Sequence, residues 1–332
     1  MTSYKSGYAE CDEIREVVLR EFGYSSSDIT LLAGQGSDRL FYRIGHSSGS
    51  MILMVYGSQK AENDYYVHIQ QFLRSIDVNV PAVILHMPEK RWVFLEDLGT
   101  RSLYSVYSDL STDMITAMYR MVIDQTAKIF YDGYDIYKTN PFVTAPAFDY
   151  KLYHWEHRYF IDNYLRGFRK ITYPLTGLEK NLTDVARFLA GQRNRLIHRD
   201  LQSQNIIIKQ NRPYLIDFQG LRRGLPAYDL ASLLCDPYIC MNQHIKSELL
   251  DYYINKYYLL LDSGNADTFR DLFAVCSVQR IMQALGAYCF LGLKKNKQSF
   301  LSYIQPAETI LNEAIHVSDM FPELGKILDS LS

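Results

Sequence analysis

The stretch RLIHRDLQSQNIIIKQNRPYLIDFQG, residues 195–220, decides the fold. It is a strand-rich island in a part of the chain that otherwise reads as helix. An apolar run ends at His198-Arg199-Asp200, and Asn205 stands shortly after. Ile206-Ile207-Ile208 reads as a short strand, Asn211-Arg212-Pro213 as a turn, and Tyr214-Leu215-Ile216 as the returning partner. Asp217-Phe218-Gln219-Gly220 ends that strand. A hairpin of this kind folds Asp217 back beside Asn205, because both flank the same end of the strand pair. One amide and one carboxylate oxygen then converge without a closed protein cage, an arrangement that suits Mg²⁺ shared with phosphate and water. Asp200, on the loop leading in, is placed to orient a hydroxyl and accept its proton as that hydroxyl attacks a γ-phosphate.

Upstream of the island, the first third of the chain reads as strands and turns bracketed by helices. Ile14, Val17, Val18 and Phe22 recur at helical spacing within 9–22, and Gly23 stops the run. Strands are expected at 29–33, 40–44, 51–56, 82–87 and 91–97, with a helix at 60–74. Beyond Leu98-Gly99 the pattern turns helical, at 111–131, 148–168, 178–190, 227–235, 244–261, 268–292 and 297–316. The expected architecture is α+β: an N-lobe over 1–98 with an antiparallel sheet and a helix, then a mainly helical C-lobe over 99–332. A tight hinge near Gly99 separates them, because no Gly/Ser/Pro-rich spacer lies there. No internal repeat is present.

The composition agrees with a soluble globular chain. Its 332 residues are 48% hydrophobic and 22% charged, with a net charge of −2. The length corresponds to about two domains at ~150 residues each. The charge balance gives no global reason to bind nucleic acid or an anionic membrane. The cysteines (Cys11, Cys235, Cys240, Cys276 and Cys289) are odd in number and scattered, so they spell neither a disulfide framework nor a zinc site. The first residues lack the apolar core of a secretory signal, and Ile281–Leu293 is too short to span a bilayer. A reduced, cytoplasmic monomer or weak dimer is expected.

HRDLQSQN followed by DFQG resembles the catalytic and metal loops of the protein-kinase-like superfamily. That resemblance makes Asp200 the catalytic base and Asn205 and Asp217 the metal ligands. The segment after DFQG runs straight to AYDLASLL (227–234), without a long activation segment. In this it resembles small-molecule kinases of the aminoglycoside/choline phosphotransferase type. GSDRLFYRI (36–44), FLEDLG (94–99), YDLASLL (228–234) and VQRIMQALGAY (278–288) are similar to bacterial sugar kinases acting on the anomeric hydroxyl of N-acetylmuramate and N-acetylglucosamine. The resemblance implies ATP and Mg²⁺ as cofactors and an amino sugar as the small-molecule partner.

For the nucleotide, Gly34, Gly36 and Ser37 lie between two expected strands. Small residues there let backbone N–H groups approach phosphates, and Arg39 adds charge. By resemblance the backbone of Glu96, Asp97 and Leu98 holds adenine. One departure stands out: the third strand, MILMVY (51–56), lacks the Lys that steadies phosphates in protein-kinase-like enzymes. Arg39 or Lys60 is expected to replace it.

For the acceptor, Glu156 lies in an aromatic-rich helix where, by resemblance, the sugar kinases carry a Glu. Arg280, in an otherwise apolar helix, is either a buried ion-pair partner or a binder of the lactyl carboxylate of N-acetylmuramate. Asp229 caps its helix, orders the metal loop or touches substrate. Choline, homoserine or an aminoglycoside as acceptor, and a nucleotide-binding scaffold with little turnover, are the rival readings.

Overall fold

In the computed structural model, residues 7–25, 28–32 and 39–331 are described. Helix α1 (Gly7–Phe22) precedes the antiparallel strands β1 (Asp28–Leu32), β2 (Arg39–His46) and β3 (Gly49–Tyr56). Helix α2 (Tyr66–Ser75) then leads to β4 (Val83–Met87) and β5 (Trp92–Glu96). The five strands form one sheet in the order β1-β2-β3-β5-β4. Alternation sorts its side chains by face. Tyr42, Ile44, Met51, Leu53, Trp92 and Phe94 pack with Ile14, Val17 and Val18 of α1 in a small core of their own. Met54, Val93 and Leu95 face the other way, into the large core shared with α2 and the rest of the molecule.

The helical lobe follows. Its helices are α3 (Leu103–Val106), α4 (Thr112–Lys128), α5 (Tyr134–Thr139), α6 (Tyr150–Phe160), α7 (Thr176–Ala190), α8 (Pro226–Leu234), α9 (Gln243–Tyr253), α10 (Ala266–Cys289), α11 (Ile304–Ile315) and α12 (Pro322–Asp329). The protein is thus a two-lobed α+β fold. Helix α10 runs through the middle of this lobe against α6, α8 and α11. With its π-helical extension to Lys294 it is long and apolar enough to cross a membrane by length and composition, yet most of it is buried inside the protein. Gly286 permits its close crossing with α6, since a Cβ there would stand 2.9 Å from the Tyr159 ring and 3.1 Å from its carbonyl oxygen.

Short strands carry the island. β6 (Arg195–Ile197) pairs with β9 (Arg222–Gly224), and β7 (Ile206–Lys209) pairs with β8 (Arg212–Leu215). The turn of the second pair differs from the sequence expectation. It is the dipeptide Gln210-Asn211, with φ of 50° and 58°, and Arg212 and Pro213 already belong to β8. Two consecutive residues at positive φ match the right-handed twist of the strands they join. Pro213 is tolerated because this ladder has only two strands. The helix expected at 60–74 is also divided. Ala61–Asn63 is a 3₁₀ turn, and α2 begins at Tyr66.

Candidate active site

The β7–β8 hairpin fixes the distance between the two expected metal ligands. Ile206 pairs with Leu215, and one residue further on the Ile216 amide donates to the Asn205 carbonyl at 3.0 Å. Asn205 and Asp217 therefore leave the same end of the hairpin. The Asn205 amide nitrogen donates to the Asp200 carbonyl at 2.9 Å. A carbonyl only accepts, so this bond turns Oδ1 of Asn205 the other way, free to act as an oxygen ligand. Asp217 adopts left-handed φ, 63°, costly for a residue with a Cβ and typical of functional loops. Its Oδ1 accepts from Arg39 Nη2 at 2.7 Å and from Gln219 Nε2 at 2.9 Å. The all-oxygen pair, incomplete by itself, fits Mg²⁺. Among the described residues no cluster of three or more His, Cys, Asp or Glu forms an alternative metal centre.

The loop before the hairpin is held rigidly. Arg199 has φ 82°, a strained value stabilised by Asp229. The Asp229 carboxylate accepts the His198 N–H at 2.6 Å and the Arg199 N–H at 2.8 Å. His198 Nε2 lies 3.0 Å from the Ile216 carbonyl, so it donates there and ties the two loops together. Burial keeps this imidazole below its ordinary pKa and hence neutral. Arg199 pairs with the Asp200 carboxylate. Burial alone would raise Asp200, but Arg199 and then Arg280 outweigh it and hold the group at about 2. Asp200 is therefore an ionised acceptor at neutral pH.

Two cavities meet at Asp217. The first, about 300 Å³, runs between the lobes and is walled by Phe41, Ile52, Leu95, Leu98, Ile207 and Ile216. Asn205, Asp217, Glu96, Asp97 and Gly99 also line it. Glu96 bonds Lys209 Nζ at 2.7 Å, and its other oxygen accepts the Ala82 N–H at 3.2 Å. Asp97 takes Arg43 in a two-point pair at 2.7 and 3.2 Å, Ser50 Oγ at 2.8 Å and the Gly99 N–H at 2.8 Å. Burial opposes ionisation of Asp97, but these donors hold its carboxyl below the usual range. Gly99, at φ 84°, makes the bend that follows.

Strand β3 sends Ile52 into this cleft, while Met54, next on that face, is fully buried in the core. β3 itself carries no Lys. Arg39 borders both cavities, whereas Lys60 lines only the second. Gly34, Gly36 and Ser37 lie outside the described residues.

The second cavity, about 540 Å³, holds Asp200 and is dominated by charge, including Lys60, Glu62, Arg199 and Arg222. None of Glu156, Asp229 and Arg280 is among the residues that line it. Asp229 is fully buried with both oxygens engaged by backbone amides, so it positions the loop at His198-Arg199. Burial pushes its carboxyl up to about 7, against those two hydrogen bonds. Arg280 is buried and donates to Ser232 Oγ at 3.0 Å, to Gln283 and to Gln202 at 3.4 Å. Glu156 is fully buried, accepting from Tyr228 Oη at 3.1 Å and Gln279 Nε2 at 3.0 Å. Burial raises its pKa, with Arg199 the leading opposing charge.

Sequence reasoning missed Arg43, Lys209, Arg199 and the Glu62–Arg222 pair, the last joined at 2.9 Å. A signal existed for Arg43. Arg39, Phe41 and Arg43 alternate along β2 and all line the cleft, whereas Tyr42 and Ile44 face α1.

Comparison with known proteins matches residues 28–264 to the phosphotransferase enzyme family. An N-acetylmuramate/N-acetylglucosamine kinase of Pseudomonas putida is 22% identical over 313 residues, covering 92% of this chain and 89% of that protein. One of the same name from Neisseria meningitidis serogroup B is 24% identical, covering 90% and 88%. Among solved structures, a choline/ethanolamine kinase family protein from Mesorhizobium loti superposes with a TM-score of 0.62 at 15% identity, covering 97% of this chain and 98% of the other. An ADP-bound aminoglycoside phosphotransferase does so with a TM-score of 0.57 at 14% identity, covering 93% and 98%.

Proposed function

Because this chain belongs to the phosphotransferase enzyme family, we propose that it transfers the γ-phosphate of ATP, with Mg²⁺, to the anomeric hydroxyl of an amino sugar of the N-acetylmuramate or N-acetylglucosamine type. Its general class is a phosphotransferase acting on a small-molecule hydroxyl. The observation that carries the finer reading is the meeting of two unlike cavities at Asp217, with Asp200 on one side and Asn205 on the other. Curated relatives over nine-tenths of the chain carry amino-sugar kinase names, which supports the acceptor.

In this reading the N-lobe, residues 1–98, holds the nucleotide, and residues 99–332 supply catalysis and the acceptor pocket. The flat apolar slot between Ile52, Leu95, Leu98 and Ile207 takes the purine. The backbone of Glu96, Asp97 and Leu98 borders the ring, and Arg39 meets the phosphates in place of a β3 Lys. Asn205 Oδ1 and the Asp217 carboxylate would hold Mg²⁺, which when bound neutralises charge on the phosphate oxygens. Asp200 receives the proton of the acceptor hydroxyl as its oxygen bonds to the γ-phosphorus and the bond to the ADP oxygen breaks. Its low pKa makes it a weak base, and positioning carries most of the rate.

A cationic acceptor such as choline or an aminoglycoside fits less well. Arg39, Lys60, Arg199 and Arg222 face three carboxylates in the cavity around Asp200. The deciding test is ADP release from Mg-ATP with N-acetylmuramate, N-acetylglucosamine, glucose, choline, homoserine and kanamycin, with Asp200→Ala as the blank. Turnover on an N-acetylated amino sugar, abolished in the variant, is expected. Turnover on choline or kanamycin alone would reassign the acceptor.

A further inference from the structure

We propose that Lys60 is a specificity-determining residue that selects an acceptor carrying a carboxylate, so that the acidic amino sugar is preferred to the neutral one. The inference rests on the amino-sugar reading above and refines it. Its basis is how charge is paired around the cavity of about 540 Å³ that holds Asp200. Each carboxylate there already has an arginine: Asp200 has Arg199, Asp217 has Arg39 at 2.7 Å, and Glu62 has Arg222 at 2.9 Å. Lys60 is the charge left over. Among the described residues its ammonium makes no hydrogen bond or ion pair.

Lys60 is exposed, and its backbone is braced by the turn that follows it. The Asn63 side chain, 3% exposed, donates to the Gly57 carbonyl at 3.1 Å and closes the segment around Lys60. Glu62, two residues on, ties the same turn to the C-lobe through Arg222. The ammonium is thus presented at the cavity from a braced base, on a flexible stem.

The nucleotide side does not claim it. Lys60, Glu62, Arg199, Asp200 and Arg222 line the acceptor cavity alone, whereas Arg43 lines only the cleft between the lobes and Arg39 borders both. A neutral sugar supplies only hydroxyls and an amide, and offers the Lys60 ammonium no ionic partner. A carboxylate completes the pairing with a charge-assisted hydrogen bond, and such bonds are about twice as strong as neutral ones.

The experiment is steady-state kinetics of the full-length enzyme with N-acetylmuramate and with N-acetylglucosamine, for the wild type, Lys60→Gln and Lys60→Arg. KM for ATP is measured in parallel, and a thermal melt checks the fold. Lys60→Gln is expected to lower kcat/KM for N-acetylmuramate by about ten- to a hundredfold, mostly through KM, from the strength of hydrogen bonds to charged groups. N-acetylglucosamine is expected to change by no more than about twofold on the same scale, KM for ATP to hold, and Lys60→Arg to recover most of the loss. Equal losses on both sugars, or a rise confined to KM for ATP, would overturn the role given to Lys60 and leave the amino-sugar reading standing. A wild-type enzyme that turns over neither sugar would overturn that reading and this inference with it.

Discussion

On one side of Asp217 the walls are Phe41, Ile52, Leu95, Leu98, Ile207 and Ile216. On the other they are Lys60, Glu62, Arg199, Asp200 and Arg222. In the proposed reading the first surface would recognise a flat ring by removing apolar area from water, with a few polar groups setting the orientation. The second would recognise its ligand by completing a charge balance, which is sensitive to single charges and works over longer distances. Substitutions on the two sides should therefore fail differently. Those on the hairpin and in the slot should change nucleotide affinity, and those around Asp200 should change turnover and acceptor choice.

The largest expected effect is at the reacting hydroxyl. Asp200→Ala should lower kcat by about 10³-fold or more, within the range for losing a general base and its positioning, while ATP affinity measured by fluorescence titration stays put. Near-normal turnover would remove Asp200 from the mechanism. Asp217→Ala should cost about 10- to 100-fold in nucleotide affinity when Mg²⁺ is present and much less when it is absent, the loss of a charge-assisted contact. The same affinity with and without metal, before and after the substitution, would take Asp217 out of the metal site.

A subtler effect is expected behind the acceptor side. Asp229→Asn should destabilise the fold by about 1–3 kcal/mol, because an amide nitrogen then faces a backbone donor in a buried site. The Tm and kcat should fall together, since the clamp on Arg199 loosens; a normal Tm with low kcat would argue for direct contact with substrate instead. Arg199 gives a pH test. The Asp200 carboxyl, near 2 in the folded enzyme, sits below its ordinary value. Its contribution to stability is therefore complete above that ordinary value and is lost only as pH falls through about 2. The kcat/KM profile should show no acid limb from Asp200 at pH 5–8, and Arg199→Ala should move any acid limb upward. An unmoved profile would mean that Arg199 does not govern the base.

The smallest effect belongs to the hinge. The Lys209–Glu96 pair is about one-third exposed on each side, so Lys209→Met should cost no more than about 1 kcal/mol of stability, read from denaturant unfolding. A larger loss would make this pair a structural anchor between the lobes.

Some of this was legible from local pattern. A short apolar run marked β3, and a period-3.6 run over 111–131 marked α4, because such patterns depend only on neighbours a few residues away. Asn205 and Asp217 were legible for the same reason, since a two-stranded hairpin fixes their proximity without help from the rest of the chain. The turn was misplaced because Asn211-Arg212-Pro213 carries turn residues, while the observed Gln210-Asn211 pair needs only two positive φ values.

Tertiary structure alone decided which charges meet. Arg39 reaches Asp217 across 178 positions, Glu62 reaches Arg222 across 160, and Lys209 reaches Glu96 across 113. Nothing in local spacing encodes those pairs. The same holds for Asp229 and Arg280, whose residue types suit substrate contact as well as internal bracing. Both are buried with partners inside the protein, because a charged group withdrawn from water must find its partners there. By itself the sequence determined most of the elements and the hairpin that brings Asn205 and Asp217 together. Packing the two lobes together decided which side of Asp217 each charge serves, because ionic interactions depend on distance through space and not along the chain.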